Sequence, residues 1–293
     1  MRIALLSDIH GNSIALDAVL EDIPQQGGID AYWVLGDLAA IGHDPVGVLA
    51  DWETGESVDW ENGKLGNWET SQDESGSNDE STSLPTTNVP IYQPTNPPIY
   101  QSTSLPTHQS TILRWPACVE IASSFAWTQD QDGRSPRVEW LAELPLEFRT
   151  VLPDGTRVLK VHASPGRDDG LSMHPGTSKE ELQSMAAESQ ADLLCVGHTH
   201  WPMDLTVDGV HLLNVGSVSN VFPPDLRASY VMLEADESGY HVQHRRVPYD
   251  REAVVRELRR APLGAGPVNH PAAKYIIQYM RGENHPHWRR TRQ

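Results

Sequence analysis

An α/β fold is what this sequence predicts, and three features predict it. Short apolar runs alternate with segments whose apolar residues recur at helical spacing. Four of those runs stop abruptly at carboxylate or imidazole residues: Asp8 and His10, Asp37, His162, then His198 and His200. Glycines stand beside the stops (Gly11, Gly36, Gly166, Gly197, Gly216), where the chain must turn tightly. In open α/β sheets, ligands gather outside the carboxyl ends of the strands, so these residues sit where a site is expected.

The first strand is read over residues 2–7. A helix follows from Ser13 to Ile23, with Ile14, Leu16, Val19, Leu20 and Ile23 on one face and Pro24 just beyond. Tyr32–Leu35 is a second strand running into Gly36 and Asp37. Asp44 and Pro45 open another helix as N-cap and first helical residue. Helices are also expected around Val119–Ala126 and over Val138–Leu144, the latter stopped by Pro145. Phe148–Leu152 and Arg157–Val161 form a hairpin around Pro153-Asp154-Gly155. Ser178 and Glu181 match a capping box, so Ser178–Ser189 is helical. Strands are read at Asp192–Val196, Leu205–Val207, Val210–Val215, Tyr230–Glu234 and Tyr240–Val247, with terminal helices at Arg251–Arg260 and Pro271–Arg281.

One stretch breaks this pattern. Between Asp51 and Leu113, Trp52, Trp60 and Trp68 recur every eight residues, and Ser81–Thr86 and Pro90–Gln93 recur as Ser102–Thr107 and Pro98–Gln101. The stretch holds ten acidic residues and one lysine, a net of -9 and half the chain's formal charge of -18. Such a composition cannot bury enough apolar surface to offset its ordering entropy. The expected organisation is therefore a single domain made of 1–50 and 114–282. Residues 51–113 are a low-complexity, disordered insertion, and 283–293 a flexible basic tail.

The acidic balance disfavours a general nucleic-acid or anionic-membrane binder, although bound cations would still admit a phosphorylated substrate. Cys118 and Cys195 have no metal-type spacing, which fits a reducing, cytoplasmic setting. No run approaches the ~20 apolar residues of a membrane helix, and the first run ends in Asp8 rather than at a signal cleavage site. The strand-end donors are all oxygen or nitrogen, which suits Mn, Fe, Zn, Ni or Co rather than a thiolate site.

These blocks resemble the calcineurin-like metallophosphoesterases. Asp8-x-His10, Gly36-Asp37, Val161-His162-Ala163, Gly197-His-Thr-His200 and Asn214-Val-Gly-Ser217 carry the resemblance, over about 1–50 and 115–247. It is closest to the small bacterial YfcE-like phosphodiesterase branch. The resemblance implies an αββα four-layer sandwich of two mixed sheets flanked by helices. It also implies two divalent transition metals, manganese first among them. By position, Asp8, His10 and His200 would hold the first, Asp37 would bridge, and His162 and His198 would hold the second. Asp37, His162 and His198 are then the catalytic residues. The chemistry implied is hydrolysis of a phosphomonoester or phosphodiester, of a small molecule or nucleotide, by hydroxide on the metals. Two cations ~3.5–4 Å apart suit such an in-line displacement, and they acidify bound water from about 15.7 toward ~7.

Asn12 has two readings, a donor to a phosphate oxygen or a turn former after Gly11. Arg167 is either a substrate phosphate contact or a surface-loop residue. His43 is read as a solvated loop residue. His211, His241 and His244 are read as solvated sheet positions. The sequence departs from the family in one place. The family's Gly-Asn-His-Asp block, whose Asn completes the second metal, would fall between Ala50 and Ala117, inside the repeats. Gly66-Asn67-Trp68-Glu69 belongs to the eight-residue repeat and is no true match; Asn88, Asn96 and His108 are accidental candidates. The alternative to a working phosphoesterase is therefore a metal-binding homologue with an impaired second site.

Overall fold

The computed structural model describes residues 1–39, 41–53, 144–260, 276–278 and 280–282. The repeats beyond Glu53, the helix expected near 119–126, nearly all of that over 138–144, and the tail from 283 lie outside the described residues. So do Asn67, Asn88, Asn96 and His108.

Two sheets carry the fold. The first has the order β2 (Ala31–Val34), β1 (Arg2–Leu6), β8 (Ala228–Asp236), β9 (Gly239–Val247). β1 and β2 are parallel, with Ile3 opposite Ala31, and the other pairings are antiparallel. The second has the order β3 (Glu147–Val151), β4 (Arg157–Val161), β5 (Leu193–Val196), β7 (Val210–Asn214), β6 (Met203–Val207). Here β4, β5 and β7 run parallel, and antiparallel β3 and β6 close the edges. Parallel neighbours deliver their carboxyl ends to one side of a sheet, which is how separate stretches of chain reach one site.

Strand alternation sorts the core into layers. On β1, Ile3 and Leu5 join Trp33, Val158, Leu193, Leu213 and Val231 between the sheets. Ala4 and Leu6 face the other way, onto α1 (Ser13–Gln25) and α2 (Pro45–Glu53) through Leu16, Val19 and Leu49. On the far side, Leu159, Leu194 and Leu212 meet Met185 and Ala186 of α3 (Lys179–Ser189). Strands apolar on both faces are what a sheet buried on both faces requires. The result is the expected αββα sandwich. Leu5 and Leu6 are fully buried, each contributing about 1.5–3 kcal/mol. A last helix, α4 (Arg251–Arg260), packs Val254, Val255 and Leu258 against Ile276 and Met280. Residues 276–278 and 280 are helical, within the terminal helix expected there.

The local signals act as read, with small shifts. Ser178 accepts from the Glu181 amide at 3.2 Å while its own amide donates to Glu181 at 2.8 Å. The Asp44 carboxylate accepts from the Gly47 amide at 2.9 Å and caps α2. α1 continues through Pro24 to Gln25 rather than stopping before it, because a proline in the last turn forfeits only one helical hydrogen bond. His211 is not solvated. Its Nε2 lies 2.9 Å from Asp204 and its Nδ1 2.9 Å from the Tyr240 hydroxyl, which reaches across from the first sheet. His244 is likewise half-buried; only His241 is exposed. No helix among the described residues is long and apolar enough to cross a membrane.

Candidate metal centre

Four strand-end loops meet at one edge of the sandwich. The loop after β1 is laced to the loop after β2: Asp8, His10 and Gly11 amides donate to the carbonyls of Gly36, Asp37 and Leu38 at 3.1, 2.8 and 2.7 Å. The loop after β5 is tied to both sheets. Its Gly197 amide donates to the His162 carbonyl at 2.9 Å, and its His198 amide donates to Asp8 Oδ2 at 2.9 Å. Behind them, the Ser217 hydroxyl donates to the Asp8 carbonyl at 2.8 Å. Asp8, His10, Asp37, His198 and His200 all lie in the left-handed region, with φ of 56°, 53°, 50°, 67° and 61°. For non-glycine residues this backbone is costly, and it persists only where surrounding contacts over-determine it. Space is equally constrained. A Cβ on Gly197 would stand 2.6 Å from Asp8 Oδ2, and one on Gly36 would stand 2.5 Å from His162 Nδ1.

All six sequence-predicted donors are brought together, in two groups. Asp8, His10 and His200 form one; Asp37, His162 and His198 form the other; in each, one donor atom per residue lies within 4.8 Å of the rest. In the first, Asp8 Oδ1 is 3.1 Å from His200 Nε2 and 3.7 Å from His10 Nε2. In the second, Asp37 Oδ2 is 3.3 Å from His162 Nε2. The groups abut. Asp37 Oδ2 is also 3.6 Å from His10 Nε2, and Asp8 Oδ1 is 4.0 Å from His162 Nε2. In the first group Asp8 is at 0%, His10 at 2% and His200 at 14% side-chain exposure, whereas Asp37 at 35% opens the second to solvent.

Backbone carbonyls set the imidazoles. A carbonyl only accepts, so His162 Nδ1 donates to Leu35 O at 3.1 Å and His200 Nδ1 donates to Asn220 O at 2.9 Å. In the neutral rings this leaves the Nε2 lone pairs turned to the carboxylates, the arrangement that prepares a histidine for a cation. Asp8 Oδ1 and His162 Nε2 are buried without a hydrogen-bond partner of good geometry. Two orphaned acceptors facing each other in a set of two carboxylates and four imidazoles fit divalent transition metals.

The electrostatics agree. Burial pushes the Asp8 and Asp37 carboxyls up, but the surrounding histidines outweigh it and hold both below the usual range. Burial works against a charged His162, yet the Asp37 and Asp8 carboxylates lift it to about 9. His200 is raised for the same reason, against its burial. His198 is lowered, by burial first and by His162 next. The two carboxylates thus stay charged, and their field draws positive charge to this spot.

The remaining site expectations concern Asn12, Arg167 and His43. Asn12 caps α1: its Oδ1 accepts from the Ala15 amide at 3.1 Å and its Nδ2 donates to Ser219 Oγ at 3.0 Å. Its bonds match the turn-forming reading. Arg167 is exposed, on a turn whose backbone pairs it with Ser164. His43 is half-buried rather than solvated. Its Nε2 is 3.4 Å from Ser13 Oγ, and burial lowers its pKa. The sequence reading missed the carbonyls of Leu35 and Asn220, which every residue carries and no motif flags. It also missed Trp201 and Phe222, stacked beside His200 with ring centroids 4.7 Å apart. An aromatic directly after a ligand histidine was the available signal.

Comparison with known proteins fits this geometry. A family model described as calcineurin-like phosphoesterase matches residues 1–202. Among solved structures, a metallophosphoesterase from Sphaerobacter thermophilus shares 20% identity over 97% of this chain and 99% of its own, with a TM-score of 0.59. Hypothetical protein PH1004 from Pyrococcus horikoshii OT3 shares 16% over 95% and 97%, with a TM-score of 0.61. Yfce, a phosphoesterase from E. coli, shares 18% over 85% and 100%, at a TM-score of 0.39. No curated protein matches the chain in sequence. The likenesses to the Sphaerobacter thermophilus and Pyrococcus horikoshii structures speak for the fold, and the family match spans well over half of the sequence. Together with six donors gathered at the strand ends, it places this chain in the calcineurin-like phosphoesterase family.

Proposed function

We propose that this chain hydrolyses a phosphomonoester or phosphodiester at a pair of divalent cations. Asp8, His10 and His200 hold one cation, and Asp37, His162 and His198 hold the other. The observation that carries this reading is the position of Asp37 Oδ2, 3.3 Å from His162 Nε2 in one group and 3.6 Å from His10 Nε2 in the other. A carboxylate so placed can serve both groups at once.

When bound, the two cations supply acidified water and neutralise charge on the phosphoryl group during in-line displacement. The protein's own part is positional. The Leu35 and Asn220 carbonyls keep the protons of His162 and His200 on Nδ1 and leave Nε2 for coordination. Asp37 is the catalytic carboxylate; His162 and His198 are the catalytic imidazoles on the solvent-open side. Arg167, just past His162 on an exposed turn, is the phosphate contact in this reading. Asn12 supports the loop rather than the substrate. Manganese is the first expectation, with iron, zinc, nickel or cobalt as alternatives. The catalytic domain consists of 1–50 and 114–282, with 51–113 as an insertion. We place the protein in the cytoplasm.

One observation favours a second reading, a metal-binding but catalytically impaired homologue. Among the described residues, no further His, Cys, Asp or Glu joins Asp37, His162 and His198. Three donors leave the second cation more weakly held. The test is turnover of bis-p-nitrophenyl phosphate and p-nitrophenyl phosphate by the full chain loaded with Mn, Ni or Co, beside cation stoichiometry by mass spectrometry. Two cations per chain and robust turnover establish the first reading. One tight cation and no turnover with any metal establish the second.

A further inference from the structure

Behind the donor loops lies a polar side chain that none of the six donors touches directly. Asn214 is the last residue of β7 and is fully buried. Its backbone pairs with Val196, the last residue of β5, and the loop that follows β5 carries His198 and His200. The Asn214 Nδ2 donates to the Gly197 carbonyl at 2.9 Å, to the Thr199 hydroxyl at 2.9 Å and to the Met173 carbonyl at 3.1 Å. Its Oδ1 accepts from the Gly216 amide at 2.9 Å. The Thr199 hydroxyl donates in turn to the Met173 carbonyl. Carbonyls only accept and a backbone amide only donates, so the opposite orientation of the side chain would set oxygen against oxygen and nitrogen against nitrogen.

These bonds join three stretches of chain. Gly197 and Thr199 flank His198, and Thr199 and His200 are adjacent. Met173 belongs to the loop that begins at His162, and Gly216 to the loop after β7. The histidines on either side of Thr199 serve different donor groups, His198 the one with Asp37 and His200 the one with Asp8. Both hold left-handed backbone, at φ of 67° and 61°, which only surrounding contacts can maintain. Whatever holds Gly197 and Thr199 therefore holds one donor group relative to the other.

Resting on the phosphoesterase reading, we propose that Asn214 is a positioning residue: its amide fixes His198 and His200 against the loop of His162, and so sets the separation of the two cations. It touches neither cation nor substrate. Its effect passes through the backbone of the ligand loop, as partners behind metal ligands commonly act.

The test is N214L, which keeps the size and branching of asparagine, changes no charge and offers no bond to Gly197, Thr199, Met173 or Gly216. Mn is titrated into the full chain by calorimetry, and the loaded protein is examined by electron paramagnetic resonance. Two Mn ions sharing a carboxylate give an exchange-coupled spectrum, and separated ions do not. The wild type is expected to show the coupled spectrum. N214L is expected to bind Mn about 10–100-fold more weakly and to lose the coupling. T199V removes only the hydroxyl link and is expected to weaken binding about threefold, with part of the coupled signal kept. Melting curves of the metal-free variants verify folding, and if N214L does not fold, T199V decides alone. Wild-type affinity with an unchanged coupled spectrum in the folded variants overturns the inference and leaves the phosphoesterase reading standing. A wild type that never shows the coupled spectrum overturns both.

Discussion

Loading the site with a cation should expel protons, and the amount follows from the structure. His162 is lifted to about 9 by the carboxylates of Asp37 and Asp8, against its burial. At pH 7.5 a group titrating near 9 is about 97% protonated, so its Nε2 carries a proton where a cation must bind. Coordination needs the neutral ring, so each cation entering the second group displaces about one proton. His200 is raised as well and adds to the release from the first group, whereas His198 is lowered and adds little. Affinity for the second cation should therefore rise about tenfold per pH unit up to ~9, or about 100-fold between pH 6.5 and 8.5. An ordinary imidazole, titrating near 6.5, would show levelling across the same range. Titrating Mn into metal-free protein by calorimetry, in buffers of contrasting ionisation enthalpy, counts the protons directly. Affinity that is flat from pH 7 to 8.5, with no buffer-dependent heat, would refute the reasoning.

Other consequences can be checked alongside. His162 is raised in the folded state, so its contribution to metal-free stability is complete below about 6.5 and fades as pH climbs through about 9. Urea melts of the metal-free chain should weaken across that window, and saturating Mn should flatten the decline. In G197A the new methyl meets Asp8 Oδ2 at 2.6 Å and crowds Ser7 Oγ. Mass spectrometry should then find less metal retained by the first group, while far-ultraviolet dichroism stays close to the wild type. N12A removes the α1 cap and the bond to Ser219, and should cost roughly 1–2 kcal/mol in denaturant titrations. No loss of stability there would mean that the cap is replaced by solvent.

The sequence carried the donors further than it carried their setting. Asp8, His10, Asp37, His162, His198 and His200 were legible because each ends an apolar run, and strand ends are where parallel sheets place ligands. The left-handed backbone at five of them was not legible. Only glycine announces that conformation, and here it falls on Asp and His. β8 begins at Ala228 rather than near Tyr230 because Ala228 and Ser229 are buried without an apolar signature. His211 was misjudged because alternation along its own strand says nothing of Tyr240 arriving from the other sheet. Trp201 and Phe222 are far apart in sequence, and their stacking depends on two loops that only the fold brings together.

Each donor group draws on both sheets. Asp8 and His10 come from the first sheet and His200 from the second; Asp37 comes from the first, and His162 and His198 from the second. A cation in either group is therefore a clasp across the sandwich, joining stretches of chain more than a hundred residues apart. At a hundredfold excess over its dissociation constant such a clasp adds about 2.7 kcal/mol to folding. None of the six donors lies between Glu53 and Leu144. Both jaws of the clasp are built from what comes before and after that span.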